Sequence, residues 1–308
     1  MWLLRAVLWR HFAYDGARTS SAIWRFFLSD QATDTDAKRI VFLGAGNMAR
    51  SLIGGLLQQG FAPNNLAACD PIAESLSAIE VLGPVRTSTS NEALLADADV
   101  VVLAVKPQIM KQALTPLAAL IQQRKPLLIS IAAGISTGAL EAWAGGSVPV
   151  VRCMPNTPAL VRRGATALFA NAQVSASQRA MASDILSAVG LALWVENEQQ
   201  LDAVTAISGS GPAYFFLLME AMQSAGQSLG LAPELTDALV LQTALGAATM
   251  ACDSDVDVAE LRRRVTSPNG TTQAALESFE RDGLRATVDA ALQAAAQRSV
   301  TLEQELCQ

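Results

Sequence analysis

The stretch "RIVFLGAGNMARSLIGGLLQQG", residues 39–60, constrains the fold more than any other. An apolar run of strand length meets a glycine turn and continues as an amphipathic helix. The turn reads Gly44-Ala45-Gly46-Asn47-Met48-Ala49, a G-x-G-x-x-A pattern. Gly44 permits the tight turn, and Gly46 lets the backbone approach a pyrophosphate. Ala49 allows helix and sheet to pack closely, and the helix N-terminus faces the anion. A glycine turn alone is weak evidence. Strand before, helix after, and the acid Asp70 closing the next apolar segment "LAACD" together point to a dinucleotide site. Asp70 has two readings. It can accept from a ribose 2′-hydroxyl, which favours NAD, or it can cap the helix of "PIAESL" with Pro71 at the first helical position.

The same alternation continues. "ADVVVLAVKP", "PLLISIAAG" and "VPVVRCMPNTP" are continuous apolar runs, as expected for strands buried on both faces of a parallel sheet, with helical segments between them. A doubly wound α/β domain follows. After "VGLALWV" strand patterns cease, and the chain reads as successive helices. The expected division is therefore a dinucleotide-binding domain over residues 38–197 and an all-α domain over 198–308. Strand ends in such a sheet line the ligand crevice. That places Ala104, Val105, Lys106 and Pro107 at the cofactor, with Lys106 facing it. It places Ala132, Ala133 and Gly134 where small residues leave room for a nicotinamide ring; close packing explains them equally well.

Composition excludes several function classes. Net charge is -6 with no basic tract, which argues against nucleic acid as a partner. Cys69, Cys153, Cys252 and Cys307 lack metal-ligand spacing and read as reduced thiols of a cytoplasmic protein. No metal site is expected. The one histidine, His11, lies in residues 1–37, which look foreign to the rest: they hold three of the five tryptophans. Residues 1–29 carry four arginines against one aspartate. This start resembles an organelle transit peptide, or else an upstream start or poorly ordered extension. Every motif lies after it, so it is expected to add nothing to catalysis. No uninterrupted apolar run reaches the roughly 18 residues of a membrane span. Glu220 and Gln223 interrupt the most apolar helix, so no membrane association is expected.

Three further loops stand out. "RRRVTSPNGTTQAALESF", residues 262–279, sets a polar loop inside a helix-rich region, with more hydroxyls than a turn needs. The N–H groups of Gly270, Thr271 and Thr272, at the start of a helix, can hold a small carboxylate. A threonine hydroxyl can both donate and accept. "MPNTP" follows a buried strand, and Asn156 can bond either a cofactor amide or the backbone. "SGSGPAY" starts a long helix with Pro212 in its first turn, and its glycines suggest close approach to a ligand or to another helix. "PELTDALVLQTALGAATMA" is apolar on nearly every side, which predicts a dimer through residues 211–305.

"FLGAGNMA", "AVKP", "SIAAGI", "MPNTPA", "DAVTAISGSGPAY" and "RRRVTSPNGTTQAA" occur in the order and spacing of pyrroline-5-carboxylate reductase, and the resemblance covers residues 38 to about 303. It implies reduction of the cyclic imine 1-pyrroline-5-carboxylate to L-proline with NADPH or NADH. It also implies a Rossmann-type domain followed by a helical dimerisation domain, with homodimers gathered into rings such as a decamer. By resemblance, Gly44 to Ala49 and Lys106 hold the cofactor, Asn91 contacts its adenosine half, and Ala132 to Gly134 lie by the nicotinamide. Thr271 and Thr272 bind substrate, Thr272 as the catalytic hydroxyl on the ring nitrogen, and Glu198 lies near the product. Two positions depart from the pattern. Asn269 replaces a glycine, which asparagine's tolerance of left-handed backbone accommodates. Arg264 replaces an asparagine near the cofactor. The alternatives are a Rossmann reductase of another small imino or keto acid, or a non-catalytic dinucleotide-binding protein. A hydroxyacid dehydrogenase would want a lysine or histidine acid in the helical domain, and none occurs after residue 197.

Overall fold

A computed structural model describes residues 38–307. The extension expected at residues 1–37 lies outside the described residues. Eight strands form one sheet: β1 (Ile40–Leu43), β2 (Leu66–Cys69), β3 (Arg86–Ser88), β4 (Val100–Leu103), β5 (Leu127–Ser130), β6 (Val150–Met154), β7 (Gly164–Ala170) and β8 (Gly190–Trp194), in spatial order 3-2-1-4-5-6-7-8. Pairing is parallel except between β6 and β7. The order reverses between β1 and β4, which makes that point the topological switch of a doubly wound sheet.

Helices cover both faces: α1 (Asn47–Gln58), α2 (Ala73–Glu80), α3 (Asn91–Leu95), α4 (Met110–Leu114), α5 (Ala118–Arg124), α6 (Thr137–Trp143) and α7 (Ala176–Ser187). The period of two along β1 divides the core between the faces. Ile40 and Phe42 pack with Leu52, Ile53 and Ile185 on one side; Val41 and Leu43 pack with Leu114, Ile121 and Leu140 on the other. A strand apolar at every position is stable only when covered in this way. Two strands were not legible as such. β3 is three residues at the sheet edge, and β7, "GATALFA", is the antiparallel addition.

Beyond β8 run α8 (Gln200–Val204), one π-turn (Thr205–Gly209), α9 (Gly211–Ser228), α10 (Pro233–Asp253), α11 (Val258–Arg264), α12 (Thr271–Arg281) and α13 (Leu284–Leu306). Compactness divides the chain into two units. One comprises the described residues up to Phe216 and those from Arg285 onward; the other is Leu217–Leu284. The C-terminal helix thus belongs to the same unit as the sheet, and its Ser299 donates to Asp202 of α8 at 2.7 Å.

Two helices are long and apolar enough to cross a membrane by length and composition: the continuous helix Gln200–Ser228 and Pro233–Asp253, at mean hydropathy 1.2 and 1.3. Neither is an uninterrupted apolar run: Glu220 and Gln223 still break the first, and only the average passes. Phe215, Phe216, Leu217, Leu239 and Leu245 are all exposed.

Asn156 fastens the "MPNTP" loop. Its Nδ2 donates to the Ser208 carbonyl at 3.0 Å, in the π-turn, and its Oδ1 accepts from the Ala165 N–H at 2.9 Å. Both ends are therefore occupied by backbone, and the side chain is 9% exposed. Asn156→Ala leaves the part-buried Ala165 N–H and Ser208 carbonyl without this partner. Each costs about 1–3 kcal/mol, so Tm should fall by roughly 5 °C or more in a thermal melt followed by circular dichroism. An unchanged Tm would mean water replaces both bonds.

Candidate active site

The carboxyl ends of β1, β2, β3, β4 and β5 carry the expected cofactor residues side by side. Gly44 has φ +101°, and a Cβ there would sit 2.6 Å from the Ala104 carbonyl oxygen, so only glycine lets the turn pass the end of β4. Gly46 is the opposite case: a Cβ would meet nothing within 4 Å. The space beside it is open to a ligand. Gly46 is also the N-cap of α1 and offers no side-chain acceptor. The first-turn N–H groups of Asn47, Met48 and Ala49 are those a helix leaves without intrahelical partners, and together with the helix dipole they suit a diphosphate. These residues fit a dinucleotide. Lys106 is exposed just beyond β4, before the short helical turn Pro107–Ile109. Asn91 is the first residue of α3, with Ser90 as its N-cap.

Asp70 does not cap a helix. α2 starts at Ala73 with Ile72 as N-cap. The Asp70 carboxylate accepts from the Ile72 N–H through Oδ1 and from the Ala45 N–H through Oδ2, both at 2.9 Å. The acid after β2 thereby clamps the glycine turn after β1. Each oxygen keeps lone-pair capacity for a ribose hydroxyl.

Ala132, Ala133 and Gly134 follow β5 and lead into α6. Gly134 has φ +71°. Glu198 sits behind this loop, and its carboxylate is filled by protein donors. Oε1 accepts from the Thr137 N–H at 2.7 Å and from Arg152 Nη1 at 2.9 Å, while Oε2 accepts from the Thr137 hydroxyl at 2.7 Å. Arg152 is 5% exposed and bonds Glu303 of α13 through the same nitrogen at 2.6 Å. Burial opposes its charge, but the bonds and charges of Glu198 and Glu303 outweigh that and raise its pKa. Arg152 and Glu303 escaped the sequence reading, because the residue that unites them lies some 150 positions from its second partner and no local pattern marks such a pair.

The polar loop lies in the Leu217–Leu284 unit. Asn269 adopts φ +55°, the left-handed backbone expected of it. Gly270 is the N-cap of α12 and supplies no side-chain acceptor. Gln273 Oε1 reaches back to the Asn269 N–H at 2.8 Å, so the helix start is organised without the threonine hydroxyls. Thr271 and Thr272 are exposed. Thiol chemistry is not prepared: burial first, then the charge of Glu92, pushes Cys69 up to about 12, and burial raises Cys153 as well. Among the described residues there is no cluster of metal-ligating side chains.

Residues 198–302 match the family model "Pyrroline-5-carboxylate reductase dimerisation", and residues 39–134 match "NADP oxidoreductase coenzyme F420-dependent". Pyrroline-5-carboxylate reductase of Pseudomonas aeruginosa is 58% identical over 270 residues, 88% of this chain and 98% of that protein. The chain belongs to the pyrroline-5-carboxylate reductase family. Among solved structures, the pyrroline-5-carboxylate reductase of Coxiella burnetii superposes with a TM-score of 0.83 at 43% identity, covering 86% of this chain and 98% of that one. Plasmodium falciparum pyrroline carboxylate reductase, solved with NADP bound, gives 0.77 at 33% identity, covering 87% and 99%. Membership assigns the exposed helices beyond residue 198 to the family's dimerisation region.

Asp70 generates a prediction for this reductase family member. A 2′-phosphate beside it would meet an anion pinned by two backbone bonds, and like charges brought together cost several kcal/mol. NADH should bind at least as tightly as NADPH by fluorescence titration. Asp70→Asn should move the ratio towards NADPH on the order of tenfold or more. Tighter NADPH binding by the unaltered protein would mean the 2′-phosphate avoids Asp70.

Proposed function

We propose that this protein reduces 1-pyrroline-5-carboxylate to L-proline with NADH or NADPH. The observation that carries the reading is the open, uncapped start of α1 at Gly46, beside the Gly44 turn, in a chain of this family. The bound nicotinamide supplies the hydride that the imine carbon receives. Everything else falls to the chain. Gly46, Asn47, Met48 and Ala49 hold the diphosphate by their N–H groups, while Gly44 and Ala45, whose N–H groups go to the Cys69 carbonyl and the Asp70 carboxylate, shape the turn beneath it. Lys106, set by Ala104, Val105 and Pro107, adds positive charge at the switch point. Asp70 and Asn91 hold the adenosine half. Ala132, Ala133 and Gly134 offer the ring a small-residue wall.

Gly270, Thr271 and Thr272 receive the substrate. The first-turn N–H groups of Thr271 and Thr272 hold its carboxylate, while the Gly270 N–H, bonded to the Ser267 carbonyl at 3.0 Å, keeps the loop closed beneath them. The Thr272 hydroxyl bonds the ring nitrogen, whose basicity grows as hydride arrives, and a hydroxyl can follow that change because it both accepts and donates. Arg264 pairs with Glu260 at 2.8 Å within α11 and is given no part in binding the cofactor. The active form is a homodimer, or a ring of dimers, because the apolar faces of α9 and α10 need a partner of the same kind. The cytoplasm is its place, in keeping with four unpaired cysteines.

Turnover is tested by following nicotinamide oxidation with 1-pyrroline-5-carboxylate. No oxidation with either cofactor, in protein that binds NADH, would overturn the proposal. Thr272→Ala removes a hydrogen bond to a charging group, worth roughly 1.5 to 3 kcal/mol. Its kcat/KM should fall on the order of ten- to a hundredfold, mainly in kcat, with NADH affinity kept. Thr272→Ser should restore much of the loss. Wild-type kinetics for Thr272→Ala would assign the nitrogen to another group. For assembly, sedimentation should give a dimer or larger at every concentration that supports activity, and a fully active monomer would contradict the dimer.

A further inference from the structure

The last turns of α13 press on the loop that follows β5. A Cβ at Gly134 would lie 3.0 Å from Leu302 Cγ and 3.1 Å from Leu306 Cδ1, so the helix sits directly on the loop's backbone. Just beyond the helix, the Cys307 thiol donates to the Gly134 carbonyl at 3.6 Å and accepts from the Ser136 N–H at 3.5 Å. One turn back, Glu303 is held by Arg152, which also holds Glu198, and Glu198 grips both the N–H and the hydroxyl of Thr137. Residues 132–137 are therefore fixed from two directions. Apolar contact bears on Gly134, and a chain of charged bonds runs from Glu303 through Arg152 and Glu198 to Thr137. All of these residues belong to one compact unit.

We infer that the end of α13 from Leu302, together with Cys307 just after it, is a strap that sets the position of the Ala132–Gly134 loop for hydride transfer, with Glu303, Leu306 and Glu198 as positioning residues. Glu198 then works through Thr137, whose N–H and hydroxyl engage both of its oxygens, with Arg152 sharing Oε1. The inference rests on the reading of Ala132–Gly134 as the nicotinamide wall. Hydride transfer depends steeply on geometry: a misplacement of about 1 Å can cost a hundredfold in rate. A loop held only by its own short chain would not keep that tolerance. Two unlike fastenings, one apolar and one ionic, restrain it along different directions.

The test compares Leu306→Ala, Glu303→Gln and Ala133→Leu in the full-length protein. For each, kcat, the dissociation constant of NADH and that of ADP-ribose are measured. ADP-ribose lacks the nicotinamide, so a fault confined to the loop spares it. Leu306→Ala and Glu303→Gln should each lower kcat roughly tenfold and weaken NADH while leaving ADP-ribose unchanged. The deuterium isotope effect with 4-deuterated NADH should rise as the hydride step becomes limiting. Leu306→Met, which refills the contact, should recover most of the rate. Ala133→Leu places bulk directly on the wall and should show the same pattern more strongly. If Ala133→Leu is impaired and the two strap variants behave as wild type, the strap is overturned and the wall stands. If Ala133→Leu itself behaves as wild type, the wall reading fails and the strap falls with it. Loss of ADP-ribose affinity in the strap variants would reveal general destabilisation and overturn the inference.

Discussion

Arg152 is a single buried cation on which three separate parts of the chain converge. It rises from β6 in the middle of the sheet, and its Nη1 meets Glu198 from the segment after β8 and Glu303 from the C-terminal helix. Burying such charges is costly, and a buried ion pair adds little net stability over a well-packed apolar replacement. Its effect here is geometric. With Arg152 in place, two carboxylates that would repel each other share one donor, and Glu198 is left oriented to bond Thr137. Without it, two partly buried anions would face each other unpaired. The end of the sheet, the junction at residue 198 and the final helix are therefore interdependent.

The sheet was legible wherever burial on both faces forced an unbroken apolar run. β1, β4 and β5 could be read directly because no other element of that length tolerates four successive buried residues. The glycine turn was legible because its two glycines do opposite things: one backs onto Ala104, the other faces open space. β3 and β7 were not, since a short edge strand and an antiparallel addition of small residues carry neither a long run nor a clean alternation. In the site, a motif could show that Asp70 matters but could not separate ribose binding from capping. The structure adds a third role, a bond to Ala45 across 25 positions. Asn156 was likewise visible as polar and loop-bound, while its backbone partners were not. Residues whose partners are near in sequence could be read; those whose partners come from distant elements could not.

The helical region poses a different problem. The continuous helix Gln200–Ser228 and α10 satisfy the length and hydropathy of membrane spans, yet they belong to the family's dimerisation region. Water, lipid and a second protein surface impose the same demand on an apolar helix, which is that something else must cover it. Composition records the demand and not its answer. The family model matched here is a dimerisation region, which favours a second protein surface among the three.

The C-terminal helix completes a unit that began some 250 residues earlier, with Leu217–Leu284 inserted between. Synthesis runs in one direction, and domains tend to fold as they emerge. The sheet can form early, but until Glu303 and Leu306 leave the ribosome Arg152 lacks its second carboxylate and Gly134 its cover. The nascent protein thus keeps the Ala132–Gly134 loop uncovered until the inserted helices have been made. Completion of that loop's surroundings is thereby coupled to translation past the insertion.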